Sequence, residues 1–288
     1  MAVYVTSDAH GHVGALDEAL GAASPAAEDE LYVLGDMIDR GPDPLGVVSL
    51  VRSRPNTHVL MGNHEELMLA ALLSSGAPKN GSFDVESLDM EGMVDWTNWM
   101  SNGGGATARQ LAELDADAYA DFLSWARELP LFATVVAGGR TYALVHAGID
   151  PARAAEWRAL HPEADLEDPA TLDELLAAQP PEDLLWVREG FWGQPTGLID
   201  AKGRGPVVIA GHTPSPYLRL YASNKAVAFT SGDGHGTVVR LGACDATGNV
   251  PDRVDIDCAA AGGFGVGRVG VMRLDDGATW FAAVREGE

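Results

Sequence analysis

The sequence predicts an α/β fold in which two mixed β-sheets lie face to face between flanking helices. Two observations carry the prediction. From Val3 to Leu73, short apolar runs alternate with segments of helical period, the pattern of parallel strands joined by right-handed crossovers. After His212 the chain turns strand-rich, which supplies a second sheet. A third observation concerns function: five short polar motifs each follow an apolar run. In such folds the carboxyl ends of the strands share one rim, so these side chains can converge.

The elements follow in order. Val3-Tyr4-Val5 reads as the first strand, and Leu16, Ala19, Leu20 and Ala23 repeat at helical spacing after it. Leu31 to Leu34 is the second strand. Pro44 opens a helix carrying Leu45, Val48 and Val51, proline being tolerated in a first turn. Thr57 to Met61 is the third strand, and Glu65 to Leu73 the helix after it. The pattern then breaks. Gly76 to Ser101 is rich in Gly, Ser, Asp, Glu and Met, with Trp96 and Trp99 near its end. It is too long for an ordinary connection, so 76–101 is expected to be a flap or cap inserted in a single domain spanning 1–288.

Residues 104–129 read as two helices broken near Asp115-Ala116-Asp117, and Gly138-Gly139 as the turn of a hairpin. Tyr142 to Val145 is a strand, 150–190 is helical in pieces, and Val207-Val208-Ile209 is a strand. The expected later strands are Leu218 to Tyr221, Ala226 to Phe229, Thr237 to Leu241, Val254 to Ile256, Val269 to Leu274 and Thr279 to Val284.

Composition excludes some functions. Net charge is −23, and Lys79, Lys202 and Lys225 are the only lysines. The basic footprint of a nucleic-acid binder is absent. No apolar run approaches membrane-spanning length, and no basic or apolar leader precedes the first strand, so no membrane partner and a cytoplasmic location are expected. Cys244 and Cys258 have no metal or redox spacing and read as free thiols. Oligomeric state is not encoded in any pattern here.

The motifs are Asp8-Ala9-His10-Gly11, Gly35-Asp36-Met37-Ile38-Asp39-Arg40-Gly41, Gly62-Asn63-His64-Glu65, Val145-His146-Ala147-Gly148 and Gly211-His212-Thr213. Together they offer carboxylates, imidazoles and one amide, a set suited to hard or borderline divalent ions. Two ions sharing one carboxylate make a site for phosphoester hydrolysis. Arg40 and Arg188 can match phosphate oxygens with a guanidinium fork, as a lysine cannot.

In this order and spacing the motifs resemble the calcineurin-like metallophosphoesterase superfamily, and within it the bacterial phosphoprotein (Ser/Thr) phosphatases. Trp99-Met100-Ser101-Asn102-Gly103-Gly104 and Leu184-Leu185-Trp186-Val187-Arg188-Glu189 resemble further segments of bacterial members. The resemblance implies an αββα sandwich. It implies a first metal held by Asp8, His10 and Asp36, and a second by Asp36, Asn63, His146 and His212. The ions would lie about 3.5–4 Å apart, with a bridging water of pKa ~7 as nucleophile. Manganese is the first choice of metal, with iron, zinc, cobalt and nickel as alternatives.

The resemblance further implies that His64 protonates the leaving alkoxide and is held by Asp39, while Arg40, Arg188 and Asn63 bind substrate. Gly211-His212-Thr213-Pro214 lacks the second histidine of many phosphodiesterases in the superfamily. Asp39 and Glu65 stand where symmetrical dinucleoside-polyphosphate hydrolases usually lack the aspartate and often carry Gly-Asn-His-Asp. The expected activity is therefore dimetal-dependent phosphomonoester hydrolysis, first of all as a protein Ser/Thr phosphatase, with a phosphorylated protein or small phosphoester as substrate. A dinucleoside-polyphosphate or nucleotide hydrolase is the alternative, and a non-catalytic binding protein a third reading. His146-Ala147-Gly148 and the long, Gly/Asp-rich stretch from Thr213 to Asp257 depart from the family pattern. Among the other histidines, His12, His58 and His161 read as structural; only His235 is kept as a possible rim residue.

Overall fold

Strands and helices alternate along the first half of the chain because apolar residues recur there at alternating periods. The computed structural model describes residues 1–74, 88–222 and 227–288. Its elements begin with β1 (Val3–Thr6), α1 (Val13–Ala23), β2 (Glu30–Val33), α2 (Pro44–Ser53), β3 (Thr57–Val59) and α3 (Asn63–Ser74). Three helices follow, α4 (Met90–Ser101), α5 (Gly105–Ala112) and α6 (Ala116–Arg127), then the hairpin of β4 (Phe132–Ala137) and β5 (Arg140–Val145). Next come α7 (Pro151–Leu160), α8 (Pro169–Ala177), α9 (Pro181–Trp186), α10 (Glu189–Trp192) and β6 (Val207–Ala210). The last elements are α11 (Leu218–Tyr221), β7 (Val239–Leu241), β8 (Arg253–Asp255), β9 (Arg268–Arg273) and β10 (Thr279–Ala283).

One sheet runs β10-β9-β1-β2-β3 and the other β4-β5-β6-β8-β7. The pairs β1/β2, β2/β3, β5/β6 and β6/β8 are parallel, so β3 is a parallel edge strand, and the other three edges, at β10, β4 and β7, are closed by antiparallel pairing. Side chains alternate between faces, as a strand requires. Val3 and Val5 enter the layer between the sheets with Leu34, Leu144, Ile209 and Val254. Tyr4 and Val33 face the helices on the outside of the first sheet, while Val145 and Val208 do the same on the second. The result is a helix–sheet–sheet–helix sandwich with three apolar layers.

Helix starts are written locally. Asp43-Pro44, Asp150-Pro151 and Asp168-Pro169 place a capping carboxylate before a proline that cannot donate anyway. The turn between β4 and β5 uses Gly138 and Gly139, both at positive φ.

Two sequence expectations change. Leu218–Tyr221 is a helical turn, not a strand: Pro214 and Pro216 start a tight helical turn that runs into it. Ala226 lies outside the described residues, and 227–229 forms no strand. Of the stretch expected to be a flap or cap, 76–87 lie outside the described residues. Its described part is α4, packed along α3, with Trp99 fully buried. No helix among the described residues is long and apolar enough to cross a membrane.

Candidate active site

All five motifs sit just beyond the carboxyl ends of parallel strands: β1, β2 and β3 in one sheet, β5 and β6 in the other. The chain must turn sharply there to aim side chains inward. Six non-glycine site residues accordingly have left-handed backbones: Asp8 (φ 54°), His10 (44°), Asp36 (52°), Asp39 (68°), Arg40 (67°) and His212 (65°). Such conformations cost about 1–3 kcal/mol each and persist only where the surroundings enforce them. Here His10 N donates to Asp36 O (3.0 Å) and Gly11 N to Met37 O (2.8 Å), locking the first loop to the second.

The imidazoles are oriented from behind. His10 Nδ1 lies 2.9 Å from Ile38 O, and His146 Nδ1 lies 2.7 Å from Leu34 O. A carbonyl can only accept, so each Nδ1 carries the proton and each Nε2 offers a lone pair to the centre. His10 Nε2 is 3.5 Å from Asp36 Oδ2, and His146 Nε2 is 3.5 Å from Asp36 Oδ1. Asn63 Oδ1 lies 2.9 Å from His146 Nε2 and 2.8 Å from His212 Nδ1. Potential ligand atoms of His10, Asp36 and His64 lie within 4.8 Å of one another, as do those of Asp36, His146 and His212. Asp36 belongs to both groups. Asp8, expected beside His10, is not in the first. Its carboxylate accepts from the Ser7 hydroxyl and from His212 N (3.0 Å), while Oδ1 is buried without a hydrogen-bond partner.

Buried lone pairs that face each other, and a buried carboxylate oxygen without a donor, suit a cation. The residues present therefore fit a pair of divalent ions. Electrostatics point the same way. Burial, then the Asp8 and Glu65 charges, push the Asp36 carboxyl well above its ordinary range. Burial holds the imidazoles of His10 and His212 well below theirs and lowers His146 as well.

His64 and Asp39 form a buried pair, Nδ1 to Oδ2 at 2.8 Å, both fully inaccessible. Burial lowers the His64 pKa, with the Asp39 hydrogen bond opposing. Arg40 Nη2 lies 2.8 Å from His64 Nε2, and Nη1 lies 3.3 Å from His10 Nε2. Arg188 is half-buried at the start of α10. Its charge depresses the imidazoles of both His146 and His212. Among the described residues no ion pair with Asp183 or Glu189 restrains it. The rim thus brings His10, Asp36, Asp39, Arg40, Asn63, His64, His146 and His212 into close contact, with Asp8 against His212 N and the Arg188 charge acting on His146 and His212.

Four neighbours were not anticipated as site residues. Glu65 accepts from Asp36 N (2.8 Å), Met37 N (2.9 Å) and Gly62 N (3.1 Å), stapling the second motif to the third. Its burial raises its pKa to about 7. Asp257 is buried two residues beyond β8, where burial and then the Asp8 charge raise its pKa. The strand-end rule that found the other motifs would have found it. Trp99 and Thr107 both reach Asp39. The remaining histidines lie apart: His58 stacks on Tyr32 and His161 on Trp157. His235 faces Asp233 in a turn. His12 stands just before α1 without a capping hydrogen bond from its side chain and is buried, with burial lowering its pKa.

The calcineurin-like phosphoesterase family profile matches residues 1–240. Among curated relatives, "Serine/threonine-protein phosphatase 1" of Salmonella typhimurium (strain LT2) is 34% identical over 54% of this chain and 62% of its own length. "Bis(5'-nucleosyl)-tetraphosphatase, symmetrical" of Acidovorax sp. (strain JS42) is 30% identical over 54% of this chain and 47% of its own. The chain thus spans about half to three fifths of these relatives. A crystal structure of a candidate diadenosine tetraphosphatase superposes with a TM-score of 0.54 at 18% identity, over 99% of this chain and 94% of that one. That likeness is one of fold.

Proposed function

The chain belongs to the calcineurin-like phosphoesterase family, and from that premise we propose that it hydrolyses phosphomonoesters with an alkoxide leaving group, above all phosphoserine and phosphothreonine in proteins. The observation that carries the reading is the buried His64–Asp39 pair. An alkoxide is a poor leaving group and needs a proton as the P–O bond breaks, whereas a nucleotide phosphate leaves as a stable anion.

In this reading Asp8, His10 and Asp36 hold one divalent ion, and Asp36, Asn63, His146 and His212 the other. When bound, the ions supply charge neutralisation for the phosphate and an acidified water as nucleophile. Arg40 and Arg188 grip the non-bridging phosphate oxygens. Arg40 shares the His10 and His64 lone pairs (3.3 and 2.8 Å). It turns from them to the substrate, freeing His64 Nε2 to carry a proton. The water oxygen forms the new P–O bond and its proton passes to solvent. The electron pair of the old P–O bond goes to the leaving oxygen, which takes the Nε2 proton. His64 ends neutral, its remaining proton on Nδ1 against Asp39.

The relatives include a symmetrical tetraphosphatase, so dinucleoside polyphosphates are the second reading. A panel of phosphoserine and phosphothreonine peptides run beside diadenosine tetraphosphate, with metal-loaded enzyme, separates them. Higher kcat/KM on the peptides supports the first reading; higher kcat/KM on the dinucleotide overturns it.

A further inference from the structure

We infer that Trp99 and Thr107 are positioning residues that fix the Asp39 carboxylate, so that His64 is held in the one orientation from which it can protonate a leaving oxygen. This rests on the general-acid reading of His64. Asp39 is fully buried, and its two oxygens receive three side-chain donors. His64 Nδ1 meets Oδ2 at 2.8 Å. Trp99 Nε1 lies 3.0 Å from Oδ2 and 3.2 Å from Oδ1, and Thr107 Oγ1 lies 2.5 Å from Oδ1. Thr107 Oγ1 also accepts from Asp39 N at 3.0 Å, so it grips both backbone and side chain of one residue. Trp99 and Thr107 are themselves fully buried.

A buried carboxylate with one donor would be costly; with three it is satisfied and immobile. A carboxylate can only accept, so beside the Thr107 hydroxyl and the indole N–H it accepts from His64 Nδ1 as well. That keeps a proton on Nδ1 and directs Nε2 at the centre. The same segment holds the neighbouring arginine. Arg40 N donates to Gly103 O (3.1 Å), and Gly103, at φ 106°, has no room for a Cβ, which would lie 2.8 Å from Arg40 Cγ. The end of α4 and the start of α5 thus set both the acid and the phosphate grip, though neither helix carries a metal-ligand motif.

The test uses Thr107→Val, which keeps shape and removes the hydroxyl, Thr107→Ser, which restores it, Trp99→Phe, and His64→Asn as the reference. Each is assayed, metal-loaded, on an alkyl phosphate and on 4-nitrophenyl phosphate, whose leaving group needs no proton. Thr107→Val and Trp99→Phe should lose roughly 10- to 100-fold in kcat on the alkyl phosphate, the rate equivalent of one hydrogen bond to a charged group. They should lose less than about threefold on the aryl phosphate, with KM unchanged, and Thr107→Ser should recover most of the loss. The nitrogen-15 spectrum of His64 should show the Nδ1-protonated tautomer in the wild type and a tautomer mixture in Thr107→Val. If His64→Asn itself shows no leaving-group dependence, the general-acid reading fails. If His64→Asn shows it while folded Thr107→Val and Trp99→Phe do not, or lose equally on both substrates, the positioning role is overturned.

Discussion

At the scale of single residues, the site is a set of groups whose ordinary behaviour is suppressed by burial. His64→Asn removes the proposed acid while leaving a hydrogen-bonding side chain beside Asp39. Its kcat on alkyl phosphates should fall by roughly 10²–10⁴ and on aryl phosphates much less. An equal loss on both would reject the assignment. Sequence reading located these residues because each motif ends an apolar run, and it read Asp39 as the partner of His64. It did not find Trp99 or Thr107 as partners of Asp39, since those contacts span 60 and 68 residues and obey no period. Asp257 escaped because it lies in a Gly/Asp-rich stretch without a recognisable motif, although its place after β8 matches the others.

At the scale of elements, glycines let the loops after the strands come together. A Cβ on Gly211 would lie 2.1 Å from Asp8 Oδ2, and one on Gly62 would lie 2.3 Å from Asp36 Oδ1. Gly211→Ala is therefore expected to displace Asp8 and cost about 1–3 kcal/mol of stability through overpacking. It should weaken metal binding while leaving the far-ultraviolet circular dichroism unchanged. Retained wild-type metal affinity and melting temperature would show that the Asp8 loop yields freely. The strand and helix pattern of the first half was readable because hydrophobic period and the Pro44 helix start agree there. It failed at Leu218–Tyr221, where alternating apolar and polar residues imitate a strand but two preceding prolines begin a helical turn. Local turn chemistry outweighed periodicity.

At the scale of the molecule, buried titrating groups make stability depend on pH and on metal. The imidazoles of His10, His64, His146 and His212 are held below 6.5. The folded state binds fewer protons there than the unfolded one, so their contribution is present above pH 6.5 and lost as pH falls. The carboxyls of Asp36, Asp255 and Asp257 are raised by burial, so their contribution is present at low pH and lost as pH rises through the shifted values. Chelator-treated protein should thus lose stability in both directions. Added Mn²⁺ should raise its melting temperature more at pH 8 than at pH 6, because ligands must be deprotonated to bind. An equal gain at both would mean that the buried groups do not hold the metal.

Asp36 is expected to serve two ions at once, since its carboxylate belongs to both groups of potential ligands. The most direct measurement is metal content, by mass spectrometry, of gel-filtered wild type and Asp36→Ala after loading with Mn²⁺. The wild type is expected to hold about two ions per chain and the variant substantially less than one, because each ion loses a shared ligand. A folded Asp36→Ala that still retains two ions would contradict it.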